Sequence, residues 1–401
     1  MFKGALPGFR DFYPQELAER AYVMTTWREV ARRYAFVEYD GPPLEPLELY
    51  TRKSGDEIVG QLYNFVDKGD REVALRPEMT PTVARMVAAR ANALRKPVRW
   101  FSMPQLFRYE RQQKGRLREH FQLNVDIFGS SDVAADAELA ACAVDIMRAF
   151  GLTSRDVVVR VSDRRLLHAY LSSLGVPDSA IEGVHQVIDK LQRTPHDVSA
   201  ERLRALDVPA EAVEQIVHIA ELTLDEIRSR LTGSAAENAE EFARYMEYVA
   251  VLLGGDDSWL SLDLSIVRGL AYYTGIVFEL FDRSGEFRAI CGGGRYDSLL
   301  ASLGGADLPA LGFGMGDVVL SELLRAKGLM RASVAGADVW IAAEESTPLT
   351  AVMAEAARRR ADGQSVEYAL RPQSLSKQKK AAQASGAREF VTLSNTDARH
   401  G

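Results

Sequence analysis

The sequence predicts an α+β chain, an antiparallel sheet flanked by helices, with a helical insertion and a small C-terminal α/β module. Three observations carry this. Strand-like segments precede and follow a stretch, about 164–253, whose apolar spacing is almost purely helical. Strands, then helices, then strands again suit one domain with an insertion, not a series of parallel βαβ units. A small-residue segment at 332–336 then leads into five elements that alternate strand and helix, the pattern of a parallel sheet. The boundaries expected are a first domain at 1–330, its insertion at about 164–255, and the module at 331–401.

Residues 14–34 read as an amphipathic helix, with Leu17, Ala21, Met24, Trp27, Val30 and Ala31 near one face. A strand over 36–49 is broken at Gly41-Pro42-Pro43, since proline cannot donate to a ladder and suits a strand end or edge. Helix 80–94, a long hairpin over 98–129, helix 134–150 and strand 157–162 follow. Within the insertion, Ser199 and Asp207 are the expected helix caps. Strands return over 262–290 and end in a glycine run. The module reads as strands 337–342, 365–369 and 389–393 with helices 350–361 and 375–385.

The 401 residues carry 49 Lys+Arg against 56 Asp+Glu, and 47% are apolar, which excludes collagen, a disordered tail and a disulfide scaffold. A net charge of −7 gives no global pull towards nucleic acid but leaves room for a local basic loop. Cys142 and Cys291 lack zinc spacing, so a reducing compartment and inert thiols are expected. With no apolar run near the roughly 20 residues of a membrane span, and no leader-like start, the expectation is a cytoplasmic protein beginning at Met1.

Chemistry concentrates in 106–128, LFRYERQQKGRLREHFQLNVDIF. Side chains alternate along a strand, so Arg108 and Glu110 share a face on the first arm. On the second, His120, Gln122, Asn124 and Asp126 share a face, backed by Phe121, Leu123, Val125 and Ile127. Alone, the row suits a solvated sheet face. Beneath a tip bearing Arg111, Lys114, Arg116 and Arg118, it suits a polyphosphate. Three further segments favour a ligand. LRPEMT, 75–80, sits at a strand-to-helix junction where Thr80 caps and Glu78 could hold an ammonium group. VRGLAYYTG, 267–275, puts Arg268 among apolar neighbours, where a cation needs a partner or a ligand anion. CGGGRYD, 291–297, gives either a turn or close backbone approach to a ligand.

In this order the four segments resemble the histidyl-tRNA synthetase family, and the likeness runs from Gly8-Phe9-Arg10-Asp11 almost to the C-terminus. The resemblance implies a class II synthetase sheet, an anticodon-binding-like module, apparently shortened, and a homodimer with Pro42 at its interface. It implies L-histidine, ATP with Mg²⁺, and tRNA(His) as partners, with no tightly bound cofactor and no metal fixed by the protein alone. Arg108 and Arg268 match the catalytic arginines on the α-phosphate, while Glu110, Arg116 and His120 complete the ATP positions with Arg108. Glu78, Met79, Thr80, Gln122, Asp126, Tyr272 and Tyr273, again with Arg268, match histidine-binding positions. Gln113 and Lys114 fall on the loop that meets tRNA.

Three positions depart from the usual pattern: Ala271 replaces an acidic residue, Val319 an arginine reaching ATP, and His120 an aromatic that stacks on adenine. They resemble the plant-organelle and cyanobacterial-like branch. The rival expectation is the synthetase-like regulatory subunit of ATP phosphoribosyltransferase, which keeps the fold without aminoacylation. Arg108, Glu110, Arg116, Arg268 and the C-terminal module favour the enzyme.

Overall fold

The computed structural model describes residues 4–51, 59–110, 115–267 and 273–393. The chain divides into two compact units, Met1–Arg331 and Ala332–Gly401. Strands of the first unit are β1 (Val37–Glu38), β2 (Leu44–Pro46), β3 (Tyr63–Val66), β4 (Glu72–Leu75), β5 (Val98–Ser102), β6 (Gln105–Phe107), β7 (Glu119–Phe128), β8 (Val157–Asp163), β9 (Leu260–Leu262), β10 (Ile276–Asp282), β11 (Cys291–Arg295) and β12 (Ala310–Gly316). Nine of them form one sheet, in the order β1-β5-β7-β12-β11-β10-β8-β9, with β6 also paired to β7. It is antiparallel except at its edges, where β1 joins β5 and β9 joins β8 in parallel.

The hairpin expected over 98–129 is present, with a break in its first arm. β5 and β6 pair with β7 in one continuous register, Val98 opposite Phe128 and Phe107 opposite Glu119. Between them Pro104, unable to donate, still accepts from the Gln122 amide at 3.1 Å. The Gly41-Pro42-Pro43 break has a larger effect. It sends β1 into the main sheet and β2 into a second one, ordered β2-β4-β3.

One face of the main sheet carries the core. Val23, Trp27 and Val30 of helix Pro14–Arg33 meet Leu123, Val125 and Ile127 of β7, together with Leu139 and Ala143 of helix Val133–Ala149. Helix Asp317–Ala326 adds Leu320 and Leu323. The opposite face is plugged at one end only. There helix Thr80–Arg90 packs Val83 and Val87 against Val98, Phe128, Ala310 and Tyr296.

The insertion is helical from Arg164 to Leu252, but its caps differ from those expected. Ser199 is buried inside helix His196–Arg204, and Asp207 takes a left-handed φ of 58°. The capping side chains are Asp163, accepting from the Arg165 and Leu166 amides, and Thr223, in a capping box with Glu226. The glycine run is no turn either, since Cys291–Arg295 is strand β11.

The second unit holds β13 (Val339–Ala343), β14 (Val366–Tyr368) and β15 (Glu389–Leu393), all parallel, in the order β14-β13-β15. Val352 and Ala356 of helix Leu349–Ala361 cover one face, and Ala382 of helix Leu375–Ser385 the other. The buried Gln378 side chain accepts from the Ala343 amide at 3.1 Å and donates to its carbonyl at 2.8 Å. It thus satisfies both backbone groups where β13 ends.

Arg10 ties the N-terminal segment to the sheet through buried carboxylates. It donates to Glu119 at 2.6 Å and to Asp317 at 2.9 Å, and Asp317 also accepts from the Phe121 amide. Removing a cation from buried carboxylates leaves charge uncompensated. Arg10→Ala is expected to lower stability by about 2–3 kcal/mol in urea unfolding. An unchanged midpoint would show that the two carboxylates do not depend on it.

Candidate active site

The unplugged part of the sheet face is built by alternation. Gln122, Asn124 and Asp126 point away from the helix core because Leu123, Val125 and Ile127 point into it. Opposite them on β12 stand Gly316, Gly314 and Gly312, and opposite the latter two on β11 stand Gly292 and Gly294. The floor beside the polar row is therefore bare backbone. Space is the reason: a Cβ on Gly312 would collide with the Asp126 carboxylate and lie 2.7 Å from the Val125 carbonyl oxygen, and one on Gly314 would lie 2.8 Å from the Gln122 amide.

Asp126, 3% exposed, ends the row beside the apolar plug. The Tyr296 hydroxyl donates to its Oδ1, while Oδ2 is buried without a hydrogen-bond partner among the described residues. Burial pushes its pKa up to about 7, against the opposing effect of the Tyr296 bond. Tyr273 lies edge-on to Tyr296, with ring centroids 6.5 Å apart, so it shares the Asp126 corner.

The first arm comes to the same face. Arg108 donates from Nε to the Pro77 carbonyl at 2.9 Å, joining it to the Glu78–Thr80 segment. Arg76, buried, holds that segment by donating to Asp40 at 2.9 Å, the Gly41 carbonyl at 2.7 Å and the Gln105 carbonyl at 3.1 Å. Glu78 and Met79 are both buried. The Met79 sulfur lies 3.9 Å from the Arg76 guanidinium, so this side chain supports the junction from inside. Thr80 is the first helical residue and makes no capping bond; the cap position is Met79. Further out, Glu110 and Arg116 form an ion pair at 3.0 Å. Burial, then the charges of Arg108 and Arg10, push the His120 pKa down to about 3. Its ring is neutral at pH 7 and can offer an aromatic face.

Arg268, Tyr272, Gln113 and Lys114 lie outside the described residues, as does Ala271. Among the described residues, no three His, Cys, Asp or Glu side chains gather as a metal site, and no helix is long and apolar enough to cross a membrane.

The sequence pattern described as "Histidyl-tRNA synthetase" matches residues 8–317. The chain belongs to the histidyl-tRNA synthetase family. A histidine–tRNA ligase of Opitutus terrae is 46% identical over 390 residues, 96% of this chain and 89% of that protein. The chloroplastic/mitochondrial histidine–tRNA ligase of Arabidopsis thaliana is 39% identical over 391 residues, 97% of this chain and 80% of that protein. In fold, the chain is similar to the crystal structure of histidyl-tRNA synthetase from Nostoc sp. PCC 7120, with a TM-score of 0.83 at 23% identity, covering 99% and 94% of the two chains. The large mixed sheet and the small C-terminal parallel sheet of this chain are thus shared with histidyl-tRNA synthetase structures.

One residue in this site escaped the sequence reading. Val319, where the resemblance leads to the expectation of an arginine, lies against the turn at Gly115: a Cβ built there would be 3.2 Å from Val319 Cγ2. The same Cβ would be 3.9 Å from Cδ of Arg288, which brings another guanidinium to this place. Burial and the neighbouring charges of Arg116 and Arg193 lower the Arg288 pKa, and Glu110 opposes them. Its only sequence signal is a lone arginine shortly before the glycine run, in SGEFRAI.

Asp126 also sets a pH dependence. Unfolded, its carboxyl releases its proton near 3.8; folded, it keeps it up to about 7. Its contribution to stability is therefore complete below about pH 4 and is lost as pH rises through 7. Asp126→Asn cannot ionise and still accepts from Tyr296. Thermal unfolding is expected to find the variant more stable than the parent at about pH 8 and no more stable at about pH 4. A difference constant over that range would contradict a raised pKa.

Proposed function

We propose that this protein is a histidine–tRNA ligase, which joins L-histidine to tRNA(His) at the expense of ATP. The observation that carries the reading is the buried, unpartnered Oδ2 of Asp126 at the end of a polar row above a glycine floor. A buried acceptor of this kind favours a ligand N–H, which an imidazole ring supplies, and penalises side chains without one. Relatives named histidine–tRNA ligase at 39–46% identity over nearly the whole chain support the same activity.

The family resemblance, together with the placement of the described residues, supports the following division of work. Asp126 and Gln122, with Tyr273 and Tyr272, hold the imidazole, and Glu78 and Thr80 the ammonium group. Arg108, fixed by Pro77, lies on the α-phosphate together with Arg268. The histidine carboxylate attacks the α-phosphorus, an oxygen–phosphorus bond forms, and the bond to pyrophosphate breaks. Such a step needs alignment and cations on the developing charge, not a covalent nucleophile. His120 takes the adenine face, and Arg116 and Arg288 the outer phosphates. The tRNA 3′ hydroxyl, guided by the loop bearing Gln113 and Lys114, then attacks the histidyl carbonyl and releases AMP. Mg²⁺ would travel with the ATP phosphates and offset their charge, and Glu110 is the carboxylate placed to meet it. The donor chemistry fits, since Glu110, held at 3.0 Å by Arg116, offers the carboxylate oxygen such an ion takes.

We further propose a homodimer, with Pro42 near its interface, and a tRNA-binding role for the Ala332–Gly401 unit. Its helix Leu375–Ser385 exposes Lys377, Lys379 and Lys380, cations suited to backbone phosphates.

Charging of tRNA(His) with labelled histidine by the purified protein tests the function. Charging is expected with histidine and ATP, and a protein that binds histidine without charging would fit a regulatory role instead. Arg288→Ala is expected to raise the ATP KM about tenfold, the worth of one charge-assisted contact, and to leave the histidine KM nearly unchanged. Equal kinetics in parent and variant would remove Arg288 from the phosphates. Deleting 332–401 should spare adenylate formation, since every side chain assigned to it precedes Arg331, while charging falls. Charging at the parental rate would contradict a tRNA role for this unit.

A further inference from the structure

A second cationic place lies outside the cleft. A cavity of about 510 Å³ opens between helix Arg164–Ser173, helix Ile181–Ile188 and the start of helix Ser234–Leu252. Its lining includes Arg164, Arg165, His168, His185, Ser234 and Asn238. Of the described side chains assigned to histidine or ATP, Tyr273 alone reaches its rim.

Three features suit it to an anion. Arg165 is compensated by Asp163 at 2.7 Å and Glu241 at 3.2 Å, but Arg164 has no carboxylate within ion-pair distance among the described residues. One Arg164 nitrogen donates to the Tyr273 carbonyl at 3.0 Å. Burial lowers the Arg164 pKa, opposed only by the more distant Glu182, so its charge lacks a close partner. His185, 8% exposed, lines the cavity, and its buried Nε2 has no hydrogen-bond partner among the described residues. Finally, a helix of 19 residues starts at Ser234, preceded by Gly233 at φ 60° and with no side chain capping it. Its first amides and the positive end of its dipole are available at the cavity wall.

We propose that this cavity binds a phosphate group, held by Arg164, His185 and the amides at Ser234, separately from the ATP cleft. Donors from three elements surround one volume, which suits an anion with several oxygens over a single carboxylate. The volume exceeds one phosphate ion and leaves room for the rest of a phosphomonoester. The phosphate can come from a free small molecule or from an RNA backbone, and the inference stands whether or not the ligase activity does.

Isothermal titration of the full chain with inorganic phosphate in chloride buffer tests this, comparing the parent with Arg164→Gln, Ser234→Asp and Arg116→Ala. Ser234→Asp places a carboxylate where the helix itself favours one, so it preserves the fold while repelling an anion. A binding component is expected that weakens about 10- to 100-fold in Arg164→Gln and Ser234→Asp and persists in Arg116→Ala. Parental binding in both cavity variants, or loss confined to Arg116→Ala, would overturn the proposal, because all phosphate would then reside in the cleft. tRNA affinity identifies the source. If it falls in Ser234→Asp along with phosphate binding, the group belongs to RNA. If it is unchanged while phosphate binding is lost, the ligand is a free phosphorylated molecule.

Discussion

A strand has two faces, and in β7 they cannot be exchanged. Its backbone is held by ladders on both sides, to β5 and to β12, so its register is fixed at every residue from Gln122 to Phe128. Leu123, Val125 and Ile127 are committed to the helical core, and a slip of one position would drive Gln122, Asn124 and Asp126 into it. The polar row is therefore the necessary reverse side of the core. Because β12 and β11 answer it with glycines, that reverse side is a space and not a second packed layer. Plugged at the Phe128 end and bounded by Arg108 and the Glu110–Arg116 pair at the other, it can take an elongated substrate pair.

Much of this was legible in the sequence because period-two alternation is a local signal. The row from His120 to Asp126, its apolar backing, the hairpin and the alternating C-terminal module could all be read from neighbours in the chain. What escaped depends on distance in sequence or on weak propensity. Three glycines in Cys291–Arg295 suggest a turn, since glycine has low strand propensity, yet ladders on both sides make them a strand. Ser199 is a capping residue by type, but tertiary packing buries it in mid-helix. The links from Arg10 to Glu119 and Asp317 cross more than a hundred residues, and Arg288 reaches the Gly115 turn from a separate loop. No local pattern encodes such meetings.

Arg288 also gives the departure at Val319 a physical reading. Val319 packs against Gly115, and Arg288 brings a cation to the same turn from a different element. At Asp126, burial works against stability at neutral pH yet leaves an acceptor open to a ligand. Specificity of this kind comes from the penalty for leaving a buried polar atom unpaired.

The central claim is that the glycine-floored face activates histidine with ATP. ATP–pyrophosphate exchange measured with the purified protein, one amino acid at a time and without tRNA, tests it most directly. The account predicts exchange with histidine at a rate far above that with any other amino acid. No exchange with histidine, or equal exchange with amino acids that lack a side-chain N–H, would contradict it.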